Sequence, residues 1–161
     1  MKILLLYPYP LEPDGQSLQG EYLKKGLEEL GVDLYKIASF SLTNYPLLRH
    51  IAQKNKPMVM STGLHTLGEI EEAVNVIYET GNTQLALLHC TSHYPIKSSD
   101  CNLRTMDTLR SAFDVPVGYS DHTMGITITL ASVAMGACIV EKHFTLNTQD
   151  RGVDHDASIS P

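Results

Sequence analysis

Short apolar runs recur along the chain at residues 32–38, 58–61, 85–90, 115–119 and 137–142, each bounded by turn-forming residues. Such runs read as buried strands. A sixth, 2–7, opens the chain. Between them the apolar positions return every three or four residues, the helical interval. Leu18, Tyr22, Leu23, Leu27 and Leu30 share one face, and Gly31 is placed to end that helix. Thr66 and Glu69 have the spacing of a capping box, Ile70, Ala73, Val74, Ile77 and Tyr78 follow at helical intervals, and Gly81 closes the element. Leu103, Met106, Leu109 and Phe113 make another stripe. Residues 126–135 are apolar nearly all round, which predicts a helix covered on most sides.

Successive strand midpoints lie about 22 to 30 residues apart, the length of one βα unit. Strands alternating with helices predict an α/β fold with a parallel sheet. A complete eight-fold barrel needs roughly 250 residues, and 161 residues fall short by about three units. The expected fold is therefore an open α/β sheet or a partial (β/α) TIM-type barrel. No linker or low-complexity segment divides it.

Composition narrows the choice. Hydrophobic residues make up 43% and charged residues 19%, which excludes disorder as the main state. Twelve Lys and Arg against eighteen Asp and Glu give a net charge of −6, which argues against nucleic acid or an anionic membrane as partner. A local basic pocket for a phosphate remains compatible with that balance. The cysteines, Cys90, Cys101 and Cys138, are odd in number and fit neither a zinc ribbon nor a disulfide framework. Reduced thiols and a cytoplasmic setting are the simplest reading. The apolar run 1–6 is too short for a signal peptide, and no run approaches the ~20 apolar residues of a membrane span.

Polar residues crowd the predicted strand ends, where parallel α/β folds bind their ligands. The successive ends carry Lys36 and Ser39; Ser61, Thr62 and Gly63; His89, Thr91, Ser92 and Tyr94; Ser120, Asp121 and His122; and Glu141, Lys142, His143 and Thr145. Such a succession points to one lined pocket. Side chains alternate along a strand, so Glu141 and His143 share a face, with Lys142 on the other, and Ser120 shares a face with His122. His122 and His143, at the ends of adjacent strands, can reach one divalent cation, and Glu141 is a further ligand or a general base. A single histidine there would more often bond a loop; two, beside Glu141 and Asp121, favour a site. Lys36 on an apolar strand must neutralise an anionic substrate group, helped by Ser39 and Ser61, or form a structural salt bridge. His89 and Cys90 are sequence neighbours facing opposite ways, which argues against a Cys–His catalytic pair. His50, His65 and His93 read as surface or loop residues. Asp154, His155 and Asp156 form a solvated turn or a substrate clamp.

From about residue 31 onward the chain resembles the sialic acid (N-acetylneuraminate) synthase family. The matching stretches are YKIAS (35–39), LTN (42–44), KPMVMSTG (56–63), LLHCTSHYP (87–95), VPVGYSDHT (115–123), EKHFTL (141–146) and DHDAS (154–158). The pair GYSDHT and EKHFT is specific. The resemblance implies strands four to eight of a TIM barrel and a condensation of phosphoenolpyruvate with N-acetylmannosamine or a related N-acetylated amino sugar, in nonulosonic acid or surface polysaccharide biosynthesis. It implies a divalent metal, Mn²⁺ first and Mg²⁺ or Co²⁺ as alternatives, held by His122 and His143. It makes Lys36, Ser39, Ser61 and Ser120 contacts to phosphoenolpyruvate, with Lys36 and Glu141 the catalytic candidates. Tyr94 and Asp154 become sugar contacts, as does Ser92, which stands where the family often has Asn. Phe40-Ser41 stands where the family usually has Gly followed by Glu or Asp. A homo-oligomer is expected.

Residues 1–30 resemble, over a short stretch, the opening of a GT-B glycosyltransferase, and are expected to form an atypical N-terminal βα unit ahead of the partial barrel at 31–161. The ELG at 29–31 has the look of a junction. The family's three earlier barrel units and its C-terminal antifreeze-like domain find no counterpart in these motifs. Four readings stay open: a condensing synthase, a non-catalytic remnant that keeps a ligand pocket or an oligomer interface, a metal-dependent hydrolase, and a sugar-nucleotide glycosyltransferase. A hydrolase usually needs more His and Asp ligands, and the glycosyltransferase reading lacks a nucleotide-binding half.

Overall fold

A computed structural model describes residues 3–6, 31–149 and 154–161. The helix expected over 18–30 and the loop before it lie outside the described residues.

Six strands form one parallel sheet in sequential order: β1 (Ile3–Leu6), β2 (Leu34–Ile37), β3 (Met58–Ser61), β4 (Leu85–Cys90), β5 (Val117–Asp121) and β6 (Val140–Lys142). Helices α1 (Tyr45–Ala52), α2 (Leu67–Tyr78), α3 (Thr105–Phe113) and α4 (Thr127–Ala134) connect β2 through β6. Sequential parallel order with a helix in each crossover from β2 to β6 is the partial-barrel arrangement, one of the two that the spacing of the apolar runs left open. Strand ends differ from expectation by a few residues. β5 starts later, because Pro116 brings no N–H to the ladder, and runs on through Ser120 and Asp121, which pair in register with Glu141 and Lys142.

The alternation of side chains divides the sheet into two chemically different faces. Tyr35, Ile37, Met58, Met60, Leu85, Leu87, Val117 and Tyr119 point toward the helices and form the buried core with Leu48, Ile51, Ile70, Val74, Ile77, Met106 and Leu109. The intervening residues Lys36, Ser61, Cys90, Ser120 and Glu141 are thereby turned to the concave face. Gly118 is required there: a Cβ at this position would collide with the Ile139 carbonyl and crowd Leu88.

The capping box at Thr66 and Glu69 forms as the spacing implied, with Thr66 N–H donating to Glu69 Oε2 at 2.8 Å and Glu69 N–H donating to Thr66 Oγ1 at 3.3 Å. Gly81 adopts φ +86° after that helix. Helix α1 is a short element that the apolar pattern does not single out. Asn44 caps it by accepting the Leu47 N–H at 3.2 Å, and Leu48, Ile51 and Ala52 are its buried face.

Helix α4 overturns one expectation. Its apolar circumference predicted a covered helix, yet Ile126 before it and Leu130 and Val133 within it are more than half exposed, and only Ser132 is buried. The helix packs on the sheet by one narrow side, and no described element covers the other. No described helix is long and apolar enough to cross a membrane.

Candidate active site

The concave face carries a connected polar array at the carboxyl ends of β2, β3, β5 and β6. Lys36, only 6% exposed, donates from Nζ to Ser61 Oγ at 2.7 Å and to the Ile37 carbonyl at 3.2 Å, and pairs with Glu141 Oε2 at 3.3 Å. Of the two sequence alternatives for Lys36, the structure shows the salt bridge: a carboxylate on the concave face neutralises it. Glu141 accepts the Ser120 hydroxyl proton on its other oxygen, Oε1, at 2.7 Å. Ser61 accepts from Lys36 and so keeps its own proton for a further partner.

His122 extends the array. Its Nδ1 lies 2.9 Å from the Thr91 carbonyl, an acceptor only, which places the proton on Nδ1. Its Nε2 stands 3.3 Å from Ser120 Oγ, but the single proton of that hydroxyl goes to Glu141. The Nε2 lone pair is consequently without a donor. Burial is the main influence on this imidazole and lowers its pKa, as does the nearby His143; the bond to Thr91 opposes them. The neutral form, the one that ligates metals, is favoured. The His143 ring sits edge-on to His122, centroids 5.4 Å apart at 81°. Tyr94 lies against both, 4.1 Å from the His122 ring and 5.5 Å from the His143 ring.

This donor set fits a divalent cation held by two imidazoles. Among the described residues no cluster of three or more His, Cys, Asp or Glu converges on one point. The remaining coordination positions would fall to water or substrate, the open arrangement that Lewis-acid chemistry needs. Asp154 Oδ2 is 3.9 Å from His143 Nδ1, at the rim, with its side chain 54% exposed. Ser39 is buried in the turn after β2, where its hydroxyl accepts the Gly63 N–H at 3.1 Å. Ser92 is half-buried beside them.

Comparison with known proteins identifies the scaffold. The NeuB family profile matches residues 22–161. The chain belongs to the NeuB family. It is 51% identical over 137 residues to an N,N'-diacetyllegionaminic acid synthase of Campylobacter jejuni, a match covering 84% of this chain and 41% of that protein. A solved N-acetylneuraminic acid synthetase from Leptospira borgpetersenii, in complex with citrate, superimposes with TM-score 0.78 at 40% identity over 83% of this chain and 46% of that one. The spore coat polysaccharide biosynthesis protein spsE of Bacillus subtilis gives TM-score 0.83 at 34% identity, over 87% and 40% of the two chains. This NeuB chain thus spans about two-fifths of the length of the curated relatives it matches.

One residue of this NeuB chain lies where the sequence did not place it. Asp121, expected beside the histidines, faces the helices. It is fully buried, accepts the Thr123 N–H at 2.9 Å and the Thr129 hydroxyl, and pairs with Lys142 at 3.2 Å. Burial on its own would raise the Asp121 pKa, but these hydrogen bonds and the Lys142 ammonium outweigh it and hold the carboxyl below its ordinary value. The pair, with Lys142 also donating to the Thr123 carbonyl at 2.7 Å, ties α4 to β5 and β6. His65, read as a surface or loop residue, lies in the loop before α2, where it bonds the Ser39 carbonyl through Nε2 at 2.8 Å and braces that turn. His89 and Cys90 do point to opposite faces. His89 Nε2 donates to the Cys101 carbonyl at 2.7 Å beneath the helices, while Cys90 Sγ lies 3.1 Å from Ser39 Oγ on the concave side.

Proposed function

We propose that this chain carries the phosphoenolpyruvate- and metal-binding part of a synthase that condenses phosphoenolpyruvate with N-acetylmannosamine or a related N-acetylated amino sugar, in nonulosonic acid biosynthesis in the cytoplasm. One observation carries the reading: Lys36, Glu141 and Ser120 form one bonded chain on the concave face, and the free Nε2 lone pair of His122 stands 3.3 Å from Ser120 Oγ, beside His143. Membership of the NeuB family supports it.

The reaction joins C3 of the enol to the sugar aldehyde carbon, adds water at C2 and expels phosphate. Lys36 supplies the one buried cation among the described residues of the concave face; Ser61 is bonded to it, Ser120 is bonded to the Glu141 that pairs with it, and Ser39 sits in the turn after the same strand, hydroxyls suited with the ammonium to the phosphate and carboxylate groups of phosphoenolpyruvate. A divalent ion on His122 and His143, Mn²⁺ first, would supply Lewis-acid polarisation of the aldehyde. Glu141 stands between Lys36 and Ser120, where its carboxylate can take a proton and pass it on. Tyr94 and Asp154 at the rim, and Ser92 behind them, would meet the sugar. We also read the chain as self-associating, because α4 leaves its apolar side bare.

The test combines binding and turnover by the 161-residue chain. Phosphoenolpyruvate should bind, and Lys36→Ala should weaken that binding by about 10- to 100-fold, the range for hydrogen bonds to a charged group. Phosphate release with Mn²⁺ and both substrates should be slow or absent, since near-attack positioning contributes about 7–11 kcal/mol and the described residues supply only part of it. A chain that fails to bind phosphoenolpyruvate would refute the proposal. Tight binding of both phosphoenolpyruvate and Mn²⁺ with no turnover would leave the non-catalytic reading. Release at about 1–10³ s⁻¹, abolished by Lys36→Ala, would show that these residues suffice for catalysis.

A further inference from the structure

Three polar side chains converge on the space above Gly63. A methyl group at Gly63 would stand 2.8 Å from Cys90 Sγ, 2.9 Å from Ser92 Oγ and 3.0 Å from Ser39 Oγ. Cys90 and Ser39 are both more than nine-tenths buried, and their heteroatoms lie 3.1 Å apart. The absence of a side chain at residue 63 is what lets the two meet.

The Ser39 hydroxyl has two lone pairs and one proton. One lone pair is taken by the Gly63 N–H. Two arrangements remain with Cys90. If Ser39 donates to the sulfur, its proton is spent and the group offers a ligand only a lone pair, which repels an anion. If the thiol donates to Ser39, both lone pairs are filled and the proton must point elsewhere. A carboxylate or phosphate oxygen is a far better acceptor than a thiol sulfur, so an anion in the pocket selects the second arrangement.

We propose that Cys90 is a positioning residue that turns to donate its S–H proton to Ser39 when an anionic ligand binds, making Ser39 an obligate donor to that ligand. The proposal rests on the reading of the site as one for phosphoenolpyruvate. It gives Cys90 work that needs neither nucleophilicity nor ionisation. No bond other than hydrogen bonds changes.

The experiment is calorimetric titration of phosphoenolpyruvate into the 161-residue chain and its variants, beside the S–H stretching band in the infrared. Cys90→Ala should weaken binding about three- to tenfold, the worth of one neutral hydrogen bond. Cys90→Ser, whose hydroxyl can donate in the same place, should bind within about twofold of the unaltered chain. In a Ser39→Ala background, Cys90→Ala should cost nothing further, since the thiol acts only through that hydroxyl. The band lost in Cys90→Ser should move to lower wavenumber on ligand addition, and stay put in Ser39→Ala. Unchanged affinity in Cys90→Ala, independent multiplication of the two losses, or a stationary thiol band overturns this proposal alone. No binding by the unaltered chain overturns the site reading and this proposal with it. Thermal melts of each variant separate a folding defect from a lost contact, and the Cys90→Ser rescue holds the test open if Cys90→Ala is unstable.

Discussion

Ser120 and Glu141 are register partners across β5 and β6, and the Ser120 hydroxyl donates to Glu141 Oε1 over 2.7 Å. That bond decides the state of the next residue in the array. With the hydroxyl proton committed to the carboxylate, His122 Nε2 keeps a free lone pair while Nδ1 is anchored on Thr91. A strand pairing thus leaves an imidazole nitrogen without a donor.

The first prediction follows from that lone pair. His122 and His143 should together hold one Mn²⁺-like ion, and replacing both by Ala should abolish binding measured by calorimetry. Thr91 contributes a backbone carbonyl, so its side chain can change without effect; Thr91→Ala is the control. Metal affinity that survives the double replacement would place the ion elsewhere.

A second prediction concerns the far face of the same strand end. Asp121 is fully buried, and the Lys142 side chain that pairs with it at 3.2 Å is only 5% exposed. Removing one member of a buried pair strands the other, at a cost of about 3–5 kcal/mol, whereas replacing both with apolar residues of similar size is often far milder. Lys142→Met should therefore lower stability more than the double variant Asp121→Leu with Lys142→Met, in denaturant melts. If the two losses add instead, the pair is not an energetic unit.

A third prediction is a pH dependence from His89. Burial is the main influence on this imidazole and lowers its pKa, outweighing the bond to Cys101. Above the ordinary histidine value of about 6.5 it is neutral folded or unfolded, and its contribution is complete. As pH falls through that value the unfolded chain takes up the proton first, so stability declines until the depressed folded-state pKa is reached. The slope from this one group is bounded by about 1.4 kcal/mol per pH unit. His89→Gln keeps an amide donor for the Cys101 carbonyl but does not titrate. It should lose less stability than the unaltered chain between about pH 7 and about pH 5. Parallel pH curves for the two proteins would show that His89 is not the group responsible.

These sites differ in how far they can be read from sequence. Period-two alternation is a local rule, and it puts Ser120 with His122 and Glu141 with His143 before any coordinates exist. Applied to Asp121, the same rule sends the side chain to the helix face with Lys142; the acidic residue's nearness in sequence to His122 draws attention the other way. His65 is different in kind. It reaches the Ser39 carbonyl across 26 residues of chain, and no pattern within the segment 64–67 signals that meeting. The same holds for Cys90 and Ser39, 51 residues apart, whose contact depends on the strand order and on the missing side chain of Gly63. Helix α4 shows the limit of hydrophobicity as a guide. A helix apolar all round asks for cover, but whether anything supplies it is decided by the surroundings and not by the helix.

The bare side of α4 carries the last prediction. Ile126, Leu130 and Val133 are exposed there, and Val140, Phe144 and Leu146 expose further apolar surface from β6 onward. β6 is the last strand of the sheet, so its outer edge has no described partner. An unpaired edge near exposed apolar side chains is a template for association. A second copy of the chain offers the same apolar patch, and pairing the two would remove both from water. The chain should therefore run as an oligomer by size exclusion with light scattering at micromolar concentration. Leu130 is 61% exposed, so Leu130→Glu should leave the fold intact by circular dichroism while shifting the mass toward the monomer. The edge makes its own contribution through backbone groups, so the shift need not be complete at high concentration. A fully folded unaltered chain that stays monomeric across that range would sink the idea, and would mean that α4 holds its apolar side in water unaided.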